Sequence, residues 1–239
     1  MSAFRFKRFT LNHDKSTMKI GTDAVLLAAF ADAAAETSVL DIGCGCGVVA
    51  FCVAQQLVLQ GLSPEVYGID PDADSIAEAQ ANAAAFPLLP ADHFHFIPEK
   101  IQEFSVTTSF DLIVSNPPFF NDSLKPTAAG RLRSRHRDFQ LPFEELLQNV
   151  CRLLDKNGRF VLILPAAESQ EFDKLAAPHL CCLHRTLVQP TCRKPVYRVI
   201  QTYGHHPASR TYTERHLVIR DQQNQYTEAY LQAMEPYLL

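Results

Sequence analysis

The chain has 239 residues, 47% of them apolar and 20% charged, with a formal net charge of −4. Such a length buries a substantial core in one α/β domain, and the composition excludes a disordered or fibrous chain. The negative balance excludes attachment to nucleic acid by bulk charge alone, so any affinity for phosphate must come from where the cations are placed.

Residues 1–10 carry Arg5, Lys7 and Arg8 among phenylalanines, without the unbroken apolar run of a signal peptide or membrane span, and a cytoplasmic location is expected. Phe4 and Phe6 alternate with Arg5 and Lys7 at the two-residue period of a strand or hairpin arm that covers one end of the domain. Thr22 and Asp23 supply a capping hydroxyl and a first-turn carboxylate for an apolar helix over 24–35.

Strands and helices then alternate. Strands are expected at 38–42, 65–69, 93–97, 111–115 and 159–164, and helices at 48–60, 72–85, 143–154 and 168–177. This rhythm implies βαβ units and a mostly parallel sheet covered on both faces. The tail departs from it, because 182–188 and 196–203 are β-rich runs joined without a helix, which suggests an antiparallel pair at the sheet edge. A last strand at 216–219 and a closing helix over 227–237 complete the chain.

Three alternate glycines, Gly43, Gly45 and Gly47, separate the first core strand from its helix. Glycine there allows a sharp turn and lets a ligand approach where a Cβ would clash, although such turns also serve packing alone. Asp41 precedes the turn, and its charge disfavours a nearby pyrophosphate and suits a cationic ligand. Asp70 ends the second core strand, 27 residues after Gly43, where an acidic group can accept both hydroxyls of a ribose. A ligand with ribose, positive charge and no phosphate fits these residues better than a dinucleotide, and S-adenosylmethionine is one.

The strand at 111–115 runs into Asn116-Pro117-Pro118-Phe119-Phe120. Two prolines end the ladder and stiffen the backbone at the edge where open α/β sheets bind ligands. The Asn116 amide oxygen and the Pro117 carbonyl can each accept one hydrogen of a planar NH2 group, which localises its lone pair, and Phe119 can stack on a base. The glycine turn, the acidic strand end and the Asn-Pro-Pro-Phe turn fall on one sheet edge, which makes coincidence a poor explanation.

Asp41 to Gly47, Asp70 and Asn116 to Phe119 resemble the cofactor and catalytic motifs of class I amino-methyltransferases. Phe4 to Phe9, His13-Asp14, Met18 to Ala24, Leu217 to Arg220 and Tyr226 to Tyr230 extend the resemblance to the bacterial tRNA(valine) adenine-N6-methyltransferase family. The resemblance implies a Rossmann-like class I fold over 1–239. It implies a mostly parallel seven-stranded sheet with an antiparallel edge strand and helices on both faces, residues 1–36 covering the cofactor site ahead of a core at 37–239. It also implies S-adenosylmethionine as cofactor, with S-adenosylhomocysteine as product. Adenine 37 in the tRNA anticodon loop would be the substrate.

On the same resemblance, Lys19, Gly21, Thr22 and Asp23 fold over the methionine end of the cofactor. Asp41, Gly43, Cys44, Gly45, Gly47, Asp70, Pro71 and Asn116 complete its site, and Asn116, Pro117, Pro118 and Phe119 form the catalytic turn. Phe119 and Phe120 stand where many relatives carry tyrosine, and the third-strand acidic position falls at Glu99 and Lys100, offset by one residue.

Arg131, Arg133, Arg135 and Arg137 alternate 12 to 18 residues after Phe119, so an extended segment would present all four to a tRNA backbone, against the plainer alternative of a solvated loop. Arg193, Lys194 and Arg198 form a second patch that reads as surface, and His13 with Asp14 as local hydrogen bonding. The seven cysteines include no CxxC pair, the histidines no ligand spacing, and no metal is assigned. A monomer is expected. The same acceptors would also serve an rRNA guanine N2, another adenine N6 or a protein glutamine amide. A non-catalytic RNA-binding protein with a vestigial cofactor fold is the alternative outside enzymes.

Overall fold

The computed structural model describes residues 3–16, 19–117, 141–205 and 212–238. Pro118, Phe119, Phe120, Arg131, Arg133, Arg135 and Arg137 lie outside the described residues. The chain opens with an antiparallel hairpin of β1 (Ala3–Arg5) and β2 (Thr10–Asn12). Phe6, Phe9 and Leu11 are buried beneath it.

Helix α1 (Thr22–Phe30) follows, buried through Ala24, Val25, Leu26, Leu27 and Ala28. Gly21, not Thr22, occupies its N-cap position, without a side-chain cap. The helix ends at Phe30, short of the expected 35, and Asp32 nearby takes a left-handed backbone with φ of 48°.

The core then alternates β3 (Ser38–Ile42), α2 (Val48–Leu59), β4 (Glu65–Ile69), α3 (Ala73–Ala85), β5 (Phe94–Ile97) and β6 (Phe110–Ser115). It continues through α4 (Phe143–Leu153), β7 (Leu154–Pro165), α5 (Ala166–Ala176), β8 (Cys181–Thr191), β9 (Arg198–Gly204), β10 (Thr213–Arg220) and α6 (Glu228–Met234). The strands form an eight-stranded sheet in the order β10-β8-β9-β7-β6-β3-β4-β5. This is one strand more than the family resemblance implies, and the eight strands correspond to the eight β runs read from the sequence.

The antiparallel strand, β9, is internal rather than at the edge, because it inserts between β7 and β8 and pairs antiparallel with both. The crossover through α5 leaves a gap beside β7, which the return arm of the β8–β9 hairpin fills. β10 then joins β8 in parallel and becomes the outer strand.

Side chains alternate across the sheet into two apolar layers. Val39, Leu112, Val114, Val161 and Ile163 pack with α1, α2, α3 and α6. Leu40, Ile42, Ile113, Leu162 and Leu164 pack with α4 and α5 on the other face. No helix among the described residues is long and apolar enough to cross a membrane.

Candidate functional site

Strand register assembles the site. Ile42 pairs with Ile69 on one side and with Ser115 on the other, so Gly43, Asp70 and Asn116 leave the sheet at one level, at the C-terminal ends of β3, β4 and β6. Open α/β sheets bind their ligands at this edge. Ser115 Oγ donates to the Ile42 carbonyl at 2.9 Å, and the amides of Gly43 and Cys44 donate to the Ile69 carbonyl at 2.8 and 3.1 Å. The three strand ends therefore hold one another in place.

A cavity of about 340 Å³ lies at this edge. Lys19, Gly21, Thr22, Asp23, Gly43, Cys44, Gly45 and Asn116, all expected from sequence, line it together with Ile20, Ala24, Cys46, Val48, Val49 and Tyr197. Its size falls within the range of small-molecule pockets. The side-chain oxygen of Asn116 is buried and has no hydrogen-bond partner among the described residues. A buried acceptor left unpaired costs about 1–3 kcal/mol, so this oxygen is set to receive a donor from a ligand.

The other expected residues sit beneath or beside the cavity rather than on its wall. Asp41 is buried under the turn, where Oδ2 accepts from the Ala50 amide at 3.1 Å in the first turn of α2. Gly47 starts that helix with φ of 87°. Asp70 accepts from the Gly45 amide at 3.0 Å and the Asp72 amide at 2.9 Å, tying the glycine turn to the end of β4 and bracketing Pro71. Glu99 and Lys100 begin a turn beyond β5, away from the lining. Pro117 follows Asn116 and is not on the wall.

Burial pushes the Asp41 carboxyl up to about 7, with the charge of Asp70 adding in the same direction and the Ala50 amide opposing both. Its value in the unfolded chain is about 3.9. The folded-state value is therefore the raised one, so the contribution to stability is fully present below about pH 4 and is lost as pH rises through about 7. The stability of the protein relative to Asp41→Asn should accordingly fall between pH 4 and pH 8 in urea titrations. A constant difference would contradict an ionisable, desolvated Asp41.

The loop over the cavity is fixed by contacts that the sequence motifs do not contain. Glu78 of α3 accepts from the amides of Asp14, Lys15 and Ser16 at 2.7, 3.1 and 2.9 Å. Asn82, one turn on, exchanges hydrogen bonds with the Asn12 backbone and donates to the Cys46 carbonyl. Lys19 Nζ donates to the carbonyls of His13 and Asp14 at 2.6 and 2.9 Å, and His13 Nδ1 accepts from the Ile20 amide. Lys19 thus closes its own loop as well as lining the cavity, and His13 acts locally.

Arg198 is not the plain surface residue expected. It forms an ion pair with Asp23 at 2.7 Å, and its guanidinium lies 5.0 Å from the centre of the Tyr197 ring. Burial, and then the charge of Asp23, push the Tyr197 hydroxyl up to about 12, so it remains protonated on the cavity wall. The pair joins α1 to β9 across 175 residues of sequence, a distance that local patterning does not span.

The sheet order, the glycine turn and the cavity define a protein of the methyltransferase-domain class, and a family model described as a methyltransferase domain matches residues 33–227. A tRNA1(Val) (adenine(37)-N6)-methyltransferase of Pseudoalteromonas translucida is 33% identical over 242 residues, covering 100% of this chain and 99% of the relative. The protein of the same name from Phocaeicola vulgatus is 39% identical over 186 residues, covering 77% and 76%. The chain belongs to the tRNA1(Val) (adenine(37)-N6)-methyltransferase family. Among solved structures, a predicted O-methyltransferase from Agrobacterium tumefaciens superposes with a TM-score of 0.66 at 18% identity, covering 90% of this chain and 96% of that one, which shows a shared fold.

Proposed function

We propose that this protein methylates N6 of adenine 37 in tRNA1(Val), with S-adenosylmethionine as the methyl donor. The observation that carries the proposal is the unpartnered amide oxygen of Asn116, buried on the wall of a cavity that the glycine turn also lines. The relatives' names supply the substrate.

The residues present fit the cofactor. Gly43 and Gly45 line the cavity without a side chain, and both take the positive φ that favours glycine, 74° and 54°. Asp70 lies beside the turn, and the lone pairs that the Gly45 and Asp72 amides leave free would accept from ribose hydroxyls, while Lys19, Gly21, Thr22 and Asp23 would close over the opposite end. S-adenosylmethionine, when bound, supplies an electrophilic methyl group on a positively charged sulfur.

The chain's own task is to orient the acceptor. Adenine N6 shares its lone pair with the ring and is a weak nucleophile. Asn116 Oδ1 accepts one amine hydrogen and the Pro117 carbonyl the other, which returns lone-pair density to nitrogen and fixes its direction. The Pro117 ring limits backbone motion at that point, and the stacking role that the sequence gives Phe119 falls outside the described residues. Among the described residues Asp23 is the carboxylate on the wall and Arg198 engages it, so no base is required before attack: N6 takes the methyl group as the carbon–sulfur bond breaks, and the surplus proton then passes to solvent. An unpaired anticodon-loop adenine enters at less cost than a base flipped from a duplex.

The test is incubation with isotopically labelled S-adenosylmethionine and total tRNA from a strain lacking the enzyme, followed by nucleoside and fragment mass spectrometry. Labelled N6-methyladenosine at position 37 of tRNA1(Val) is expected. Label in a guanosine, or in protein alone, would overturn the proposal.

A further inference from the structure

Charge is distributed unevenly along the chain. The protein has 26 acidic residues, yet none falls in residues 174–213, a stretch that holds six lysines and arginines. One part of that stretch reaches the catalytic edge of the sheet. β8 runs parallel to β10 and antiparallel to β9, so the turn at 192–197 sits at the same end as the glycine turn, and Tyr197 at its close lines the cavity.

The turn is firmly built. The Lys194 amide donates to the Thr191 carbonyl at 3.1 Å, Gln189 Nε2 donates to the Lys194 carbonyl at 2.9 Å, and the Tyr197 amide donates to the Val188 carbonyl at 3.0 Å. Cys192, Arg193, Lys194 and Pro195 are exposed on it. Neither Arg193 nor Lys194 forms an ion pair with a described residue.

A third cation adjoins them. Arg220 pairs in register with Thr191, the last residue before the turn, and its guanidinium is held 3.9 Å from the centre of the Tyr226 ring. Asp221, the carboxylate next to it, is occupied by the amides of Gln223 and Gln225, both at 2.9 Å. Exposed cations on a braced turn beside a cavity, on a protein whose overall charge is negative, match an anionic polymer that must be brought to that cavity.

We infer that the β8–β9 turn, through Arg193 and Lys194 and with Arg220 beside it, docks the phosphate backbone of the RNA substrate at the mouth of the cavity. The inference rests on the tRNA substrate proposed above and assigns it a surface. Arg198, bound to Asp23 and lying over Tyr197, ties the turn to α1, so docked RNA and the cavity wall share one rigid support.

Cys192, next to Arg193, is the exposed cysteine of the seven and serves as the probe. Wild-type protein is pulsed with N-ethylmaleimide with and without tRNA, and modification of Cys192 is read by peptide mass spectrometry. Binding of tRNA should slow the modification at least about tenfold, whereas S-adenosylmethionine alone should not. In parallel, the double substitution Arg193→Ala and Lys194→Ala should raise KM for tRNA by about tenfold and reduce the slope of log affinity against log salt by between about one and two, as loss of two phosphate contacts requires. S-adenosylmethionine affinity measured without RNA should not change. If wild-type enzyme methylates tRNA but either Cys192 protection or the change in salt slope is missing, the docking surface is wrong. If wild-type enzyme does not methylate tRNA, the substrate assignment fails and this surface fails with it.

Discussion

Asn116→Ala should lower kcat for tRNA methylation by roughly 10²–10³-fold, the loss typical when one preorganised polar contact to the reacting group is removed. The affinity for S-adenosylmethionine, measured by calorimetry, should stay within about twofold. The split follows from geometry. Asn116 follows Ser115, whose hydroxyl ties β6 to β3 at 2.9 Å, so the backbone of the site survives when the Asn116 side chain is truncated. What disappears is the buried oxygen without a partner, which the apo protein does not use for its own stability. Asn116→Asp keeps an acceptor at the same place and should lose less. Equal loss of cofactor binding and turnover in Asn116→Ala would mean that the residue holds the cofactor rather than the amine.

Gly47→Ala should destabilise the fold strongly. The residue has φ of 87°, and an added Cβ would stand 2.7 Å from the Phe51 ring and 3.0 Å from the Phe96 ring. Left-handed backbone costs a residue with a side chain about 1–2 kcal/mol, and overpacking a core adds about 1–3 kcal/mol. At roughly 2–4 °C per kcal/mol for a chain of this size, the Tm should fall by roughly 5–15 °C. Gly43→Ala makes the informative contrast, because no atom lies within 4 Å of its added Cβ and it lines the cavity. It should cost little beyond the backbone term in Tm, while weakening S-adenosylmethionine binding. Equal melting losses in the two variants would show that the turn serves only to bend the chain.

That contrast shows how far the sequence could be read. Three alternate glycines between a strand and a helix signal a turn with positive φ, and the structure gives it, but spacing alone does not separate Gly43, which faces a ligand, from Gly47, which makes room for Phe51 and Phe96. The site edge was legible because Gly43, Asp70 and Asn116 each follow directly on a strand, and parallel register then places them side by side. Asp41 reads as a cofactor-facing charge, yet its side chain points beneath the turn to the start of α2.

Other parts depend on contacts that no local pattern encodes. Tyr197 reaches the cavity, and Arg198 reaches Asp23, only because β9 inserts between β7 and β8, a choice made by tertiary packing. The anchoring of the N-terminal loop did leave a trace. Ser75, Glu78 and Asn82 recur at spacings of three and four in an alanine-rich helix, and all three are buried. A buried polar stripe of that kind requires partners, and here the backbone at 12–16 provides them for Glu78 and Asn82 and the Ser16 hydroxyl for Ser75.

The most direct test is a structure of the protein with S-adenosylhomocysteine and an anticodon stem-loop of tRNA1(Val). Adenine 37 should enter the cavity with N6 at hydrogen-bonding distance, about 2.7–3.2 Å, from Asn116 Oδ1. An adenine bound elsewhere, or an Asn116 oxygen bonded to another group while the base is in place, would contradict the account.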